Sequence, residues 1–164
     1  MDTKGQILGI DIGGVIIDVW QHGNDKLFFS DSFLETPEVA GALKAIRSLR
    51  DRFSAIKYVS HCTDENRARF IGWLEVHNFY EETGSQPKDM TFCPNRSDKA
   101  NICKDLEISH FIDDRLEVLS SLTTVKERYL FQPRQEDLEE FKEYLSMVRV
   151  ANSWSDILRL LNKE

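Results

Sequence analysis

Short apolar runs alternate with segments whose apolar positions recur every three or four residues, and the alternation continues along the chain. Residues 7–12 form a short β-branched run and read as a buried strand. Thr36-Pro37-Glu38 then opens a helix to about residue 50, with Val39, Leu43, Ile46 and Leu49 on one face. Residues 55–59 are a second strand. Asp64 caps a helix running to about residue 78, with Ala68, Ile71 and Leu74 inward. Residues 90–93 are a weaker third strand, ended by Pro94, and Ser97 or Asp98 caps a helix carrying Ile102 and Leu106. A fourth strand, 110–112, runs into Asp113-Asp114. Residues 115–122 are helical, and 128–131 form a strand stopped by Pro133. A charged amphipathic helix over 136–145, a short strand over 148–150 and a closing helix over 153–161 complete the chain. No repeat, low-complexity tract or linker interrupts the pattern.

Strands that alternate with helices predict an α/β fold of three layers, α/β/α and Rossmann-like, around a mostly parallel sheet. The expectation is a single domain over 1–164, because 164 residues support one sizeable core but not two comfortable ones. In such sheets ligands bind beyond the carboxyl ends of the strands. That rule gathers the polar residues. Asp11 ends the first strand, Ser60 the second, and Asp113-Asp114 the fourth, while Lys99 opens the helix after the third.

Composition narrows the function. A net charge of −7 argues against a generic nucleic-acid surface, though not against a local basic pocket. Cys62, Cys93 and Cys103 are odd in number and show no C-x-x-C spacing, so they read as reduced thiols of a cytoplasmic protein and not as a disulfide frame or zinc site. No signal peptide is visible, and no apolar stretch approaches the roughly 20 residues of a membrane span.

Each polar residue has an ordinary explanation when taken singly. Asp is a preferred turn residue, Ser60 suits a cap, and Lys99 suits solvent. Acids at a helix start complement its dipole, which is the better account of Asp64 and Glu65. Together they mean more. Carboxylates from two strands suit a hard cation such as magnesium, and a lysine with a hydroxyl suits a phosphoryl group.

The order D-x-x-G-V-x-x-D from Asp11 to Asp18, then a strand ending in Ser60, then Lys99, then a strand ending in Asp113-Asp114, resembles the haloacid dehalogenase-like (HAD) superfamily of phosphohydrolases. The resemblance spans residue 7 to about 131. It implies a magnesium-dependent phosphatase in which Asp11 is the nucleophile and forms an aspartyl-phosphate. Ser60 would hold a phosphoryl oxygen and Lys99 would steady the nucleophile and phosphate. The metal would fall to Asp11, Asp113, Asp114 and the backbone carbonyl of Gly13. Lys88 competes for the lysine role, but it precedes the third strand, whereas Lys99 follows it. Asp18 matches a second Asp that often follows the first motif and reads as structural.

Gly13 departs from the family pattern. Its phosphatases usually carry an Asp two residues after the nucleophile, which protonates the leaving oxygen and later activates water. General acid–base help is worth about 10²–10⁴ in rate. Members without this acid include dehalogenases, phosphonate-cleaving enzymes and P-type ATPases, so the gap leaves either a slow enzyme or a degenerate relative that binds a phosphate-containing ligand or a protein partner. His61 and His22 are the substitute acids to test. A receiver domain uses similar residues, but with the acidic pair first and the lysine last.

The gaps between motifs, 49 residues from Asp11 to Ser60 and 39 from Ser60 to Lys99, leave no space for a large cap domain. Residues 19–33 are expected to form a small flap, with Trp20, Phe28 and Phe29 at the entrance or in the packing. An uncapped site admits a large phosphorylated substrate, unless a second subunit covers it in a homo-oligomer.

Overall fold

The computed structural model describes residues 5–163. Six strands are hydrogen-bonded in the order β3-β2-β1-β4-β5-β6, and all five pairings are parallel. They are β1 (Ile7–Ile10), β2 (Ala55–His61), β3 (Met90–Cys93), β4 (His110–Asp113), β5 (Glu127–Phe131) and β6 (Arg149–Ala151). The helices are α1 (Asn24–Phe28), α2 (Ala42–Leu49), α3 (Asp64–Val76), α4 (Phe79–Thr83), α5 (Asp98–Asp105), α6 (Leu116–Ser121), α7 (Gln135–Glu140) and α8 (Trp154–Asn162).

Alternation along each strand sends neighbours into opposite layers. Ile10, Tyr58, Ile112, Tyr129 and Phe131 pack with residues of α2, α3, α4 and α8. Val59, Phe111 and Leu130 pack with α5 and α6 on the other face. The α/β/α architecture is therefore as the sequence predicts, with a sheet parallel throughout. Helices α2 and α8 carry a clear apolar stripe, formed in α2 by Ala42, Leu43, Ala45, Ile46 and Leu49 and in α8 by Trp154, Ile157 and Leu161. Among the described residues two α-helices begin with a side-chain cap. Thr63 accepts from Asn66 N–H ahead of α3, and Ser153 accepts from Asp156 N–H ahead of α8.

Several boundaries differ from expectation. The helix anticipated from Thr36 begins at Ala42. Residues 37–39 instead pair with the loop after β1, through Asp18 N–H to Pro37 O at 2.9 Å and Val39 N–H to Ile16 O at 2.7 Å. Glu38 still serves that helix, because its carboxylate accepts from Leu43 N–H at 3.1 Å. Thr63, not Asp64, caps α3. The helix expected over 136–145 breaks at Phe141 into α7 and a 3₁₀ turn, Lys142–Met147. Helix α4 was not anticipated at all.

The flap region, residues 19–33, holds α1 and leads into a 3₁₀ turn, Phe33–Glu35. It is tied to α3: Arg69 Nη1 donates to Ser30 O at 2.8 Å and Trp73 Nε1 to Thr36 O at 2.7 Å, while His77 Nε2 is 2.7 Å from Leu34 O. The expected aromatic trio divides. Phe28 is fully buried, whereas Trp20 and Phe29 are 39% and 45% exposed.

At the centre of the sheet Gly9 lies against Phe111. A Cβ at position 9 would fall well inside contact distance of that ring, which is fully buried and has nowhere to move. Gly9→Ala is therefore expected to lower unfolding stability by about 1–3 kcal/mol. Urea denaturation checks this: the midpoint should fall with an unchanged slope, and an unaltered midpoint would contradict the packing.

Candidate active site

Strand register brings the acids together. Ile10 is level with Ile112 of β4 and Tyr58 of β2, so Asp11 comes level with Asp113, and Ser60 sits one residue farther along. Asp11 N–H extends the ladder to Ile112 O at 2.9 Å. The chain then winds tightly on the Ile12 carbonyl, which accepts from Ile16 N–H at 2.9 Å and Ile17 N–H at 3.1 Å. Gly14 makes that turn at φ +82°. A Cβ there would run into the Asp114 carboxylate and the Trp20 ring. Glycine at this position therefore serves both the left-handed backbone and the approach of Asp114.

Lys99 is the hub of the cluster. It lies in the first turn of α5 and, like Cys103 four residues on, is buried on the inner face. Its Nζ donates to Asp11 Oδ1 at 3.0 Å and to Asp113 Oδ2 at 2.8 Å. Burial opposes its charge, but the two carboxylates outweigh burial and lift its pKa above the ordinary lysine value. Asp113 also accepts from Arg115 N–H at 3.0 Å through Oδ1. Asp11, Asp113 and Asp114 each present an oxygen within 4.8 Å of the others.

Three buried carboxylates and one lysine leave the group short of positive charge. Burial pushes Asp11 up from 3.8 to about 6; Lys99 pulls against that rise and Asp113 reinforces it. Asp114 is raised well above the carboxylate range by burial and by repulsion from Asp11 and Asp113, against a smaller pull from Lys99 and Arg134. An all-oxygen donor set with this deficit fits a hard divalent cation.

Asp11, Lys99 and Asp114 line a cleft of about 240 Å³ beyond the carboxyl ends of the strands, with Asp113 fully buried behind them. Asp11, Gly13, Ser60, Lys99 and Asp114 are on its wall. Lys88 is exposed on the 3₁₀ turn Pro87–Asp89 ahead of β3, away from the acids. His22 and Asp18 border a separate surface depression. His61 does line the cleft, but its Nε2 is 3.0 Å from the Pro94 carbonyl. Burial, followed by the charges of Arg96, Lys99 and Arg115, keeps that ring below its ordinary value, so it is a poor proton donor.

Sequence reasoning missed Arg96, Arg115 and Arg134 as cleft residues, and missed Phe70, whose ring faces Gly13. The carboxyl-end rule contained the signal for the arginines, since all three follow strands β3, β4 and β5 within a few residues. Phe70 gave none: it lies off the expected stripe of Ala68, Ile71 and Leu74, whereas α3 buries Phe70, Trp73 and Leu74 and leaves Ala68 exposed.

The raised Asp11 value sets a pH dependence for metal-free protein. The unfolded chain loses this proton near 3.8, while the folded chain holds it to about 6. Between those values the folded state binds more protons, so stability falls as pH rises, and the loss persists above 6. Asp114 acts in the same sense. Thermal melts in chelator should therefore show a decline from pH 4 to 6 that is shallower in Asp11→Asn, and a divalent cation should raise the melting temperature at pH 7. Parallel profiles for the two proteins would refute the linkage.

No protein-family model matches the chain, and no curated protein matches its sequence. Solved structures do match. A D,D-heptose 1,7-bisphosphate phosphatase from B. bronchiseptica, complexed with magnesium and phosphate, superimposes with TM-score 0.64 at 15% identity, over 97% of this chain and 99% of that one. A HAD family hydrolase from Deinococcus radiodurans R1, with bound phosphate and sodium, gives 0.67 at 13% identity, over 99% and 97%. The cobalt-bound deoxy-D-mannose-octulosonate 8-phosphate phosphatase from Haemophilus influenzae gives 0.57 at 12% identity, over 97% and 88%. At such low identity the likeness speaks for architecture, and the chain has the fold of the haloacid dehalogenase-like hydrolases.

Proposed function

We propose that this chain is a magnesium-dependent phosphohydrolase that works through an aspartyl-phosphate on Asp11. The observation that carries the reading is the bridge from Lys99 to Asp11 and Asp113 inside a cluster of three buried carboxylates at the ligand-binding edge of the sheet. Phosphate and metal ions bound by structures of the same fold support it.

Lys99 holds Asp11 through Oδ1, which leaves Oδ2 to attack phosphorus. The same ammonium fixes Asp113 and offsets charge that builds on the phosphoryl oxygens. Ser60 reaches the cleft wall one residue beyond Asp11 in register, where its hydroxyl can donate to a phosphoryl oxygen. Magnesium would be held by Asp11, Asp113, Asp114 and the Gly13 carbonyl, and when bound it would neutralise the acids and polarise the phosphoryl group. Gly13 brings no proton donor to the leaving oxygen.

A second reading has its own support. With Gly13 beside Phe70, the site lacks an acid, which suits a domain that binds a phosphate-containing ligand with little turnover. A Cβ on Gly13 would meet Phe70 at 3.4 Å, so a side chain can enter there with little adjustment. A carboxyl against that ring would also be desolvated and raised, as a general acid requires.

The two readings separate by experiment. Aryl phosphate should be hydrolysed with magnesium, and Asp11→Asn should reduce the rate at least 10³-fold, a drop of about 4 kcal/mol in transition-state stabilisation. Gly13→Asp should speed alkyl phosphates about tenfold or more, within the usual reach of acid catalysis. Full activity in Asp11→Asn would remove the nucleophile. No gain in a folded, metal-binding Gly13→Asp variant would favour the binding module.

A further inference from the structure

We infer that the cleft takes the terminal phosphoryl group of a nucleoside di- or triphosphate, so that the bond broken is a phosphoanhydride. The inference rests on the phosphohydrolase reading and adds the substrate class. Three independent observations lead to it.

The first is the leaving side of the cleft. Position 13 has no side chain, and Phe70 and Val19 surround the space a side chain would take. Asp114 on the wall is assigned to the cation, and the two remaining candidate donors, His61 and Cys62, are unfit. His61 is engaged at Nε2 by Pro94 O. Cys62 is 8% exposed, and burial pushes its thiol up to about 11, far above the operating range in which a general acid transfers a proton best. A substrate that loses an alkoxide needs protonation there. A phosphate oxygen, whose conjugate acid ionises near pH 6, leaves as an anion unaided.

The second is the positive charge at the mouth. Arg96, Arg115 and Arg134 line the cleft in addition to Lys99. Arg96 spends part of its charge on Glu117 at 3.7 Å. Among the described residues neither Arg115 nor Arg134 forms an ion pair. One phosphoryl group at Asp11 would already be served by Lys99, Ser60 and a bound cation. Guanidinium groups beyond it suit a second phosphate on the leaving group, which they can hold in bidentate fashion.

The third is the aromatic rim. Trp20 and Phe29 are the exposed aromatic residues of the cleft, with ring centroids 6.1 Å apart. Arg134 lies over Trp20, 4.6 Å from its centroid. The rim therefore joins a cation that can grip phosphate to a flat surface that can stack a base. A base on the exposed pair need not fit within the 240 Å³ of the cleft.

The chemistry balances without an acid. Asp11 Oδ2 forms a bond to the terminal phosphorus, and the bond from phosphorus to the bridging oxygen breaks. Its electron pair stays on that oxygen, which departs as the terminal phosphate of the shortened nucleotide. Water then adds to phosphorus, the bond to Asp11 breaks with its electrons returning to the carboxylate, and both water protons end on dihydrogen phosphate.

The test measures phosphate release with magnesium from ADP, AMP, inorganic pyrophosphate, 4-nitrophenyl phosphate and a phosphotyrosine peptide. The expected result is a kcat/KM for ADP at least tenfold above AMP and above pyrophosphate, which has the anhydride but no base. Calorimetry with methylene-bridged ADP should show binding that weakens about 5- to 150-fold in Trp20→Ala, the range for loss of one stacked base. Arg134→Gln should lower the ADP-to-AMP ratio about tenfold. Turnover of 4-nitrophenyl phosphate with ADP no better than AMP overturns the inference and leaves the phosphohydrolase reading intact. A preference for the phosphopeptide does the same and assigns the mouth to phosphoprotein. Unchanged binding in a folded Trp20→Ala overturns the stacking. If no substrate turns over and beryllium fluoride with magnesium fails to bind at Asp11, both readings fall.

Discussion

The site depends on one buried ammonium. Lys99 sits 2% exposed between Asp11 and Asp113, and without it three carboxylates would face one another at the end of a parallel sheet. Such an arrangement is expensive, because an unpaired buried charge costs several kcal/mol and like charges at this range add to it. The lysine offsets part of that cost but not all, as the raised values of Asp11 and Asp114 show. A fold gains nothing in stability from this residual deficit. It is intelligible as a standing preference for a cation, and the rigid sheet keeps the deficit from relaxing.

The two glycines after Asp11 serve different ends. Gly14 is required by the backbone and by close neighbours, since Asp114 and Trp20 both press on the space where its side chain would be. Gly13 is under no comparable compulsion: its φ is ordinary and a Cβ there would make near-normal contact with Phe70. Its lack of a side chain is therefore a chemical choice more than a conformational one. On the proposed phosphohydrolase reading, that distinction makes the leaving side of the cleft informative about substrate.

Much of the fold was legible because the central strands of the parallel sheet are buried on both faces and announce themselves as short apolar runs between helical patterns. Asp11, Ser60, Lys99 and Asp113-Asp114 were legible because each stands where an apolar pattern stops or breaks. Lys99 even sits on the buried face of α5, an unusual place for a charge. What was not legible came from tertiary pairing. Thr36-Pro37-Glu38 looks like a helix start, yet residues 37–39 find better hydrogen-bond partners on Ile16 and Asp18. The 136–145 stretch has helical periodicity, yet the helix stops at Phe141 and continues as a 3₁₀ turn, Lys142–Met147. Whether Trp20, Phe28 and Phe29 line or pack could not be read from type alone; all three border the cleft, Phe28 as a buried ring and Trp20 and Phe29 as exposed ones.

The chain carries a net charge of −7, which would seem ill suited to a polyanionic ligand. The objection weakens on scale. At physiological ionic strength the Debye length is about 8 Å, so charge spread over the far surface is largely screened at the mouth. Inside the cleft the balance is local: Arg96, Arg115, Arg134 and Lys99 share the wall with Asp11 and Asp114. A bound divalent cation would tilt that balance further toward positive. On the proposed reading, attraction of an anion would arise at short range, after encounter, and the arginines would act less as a steering field than as a grip. Their placement after three successive strands makes that grip a property of the same sheet edge that assembles the acids.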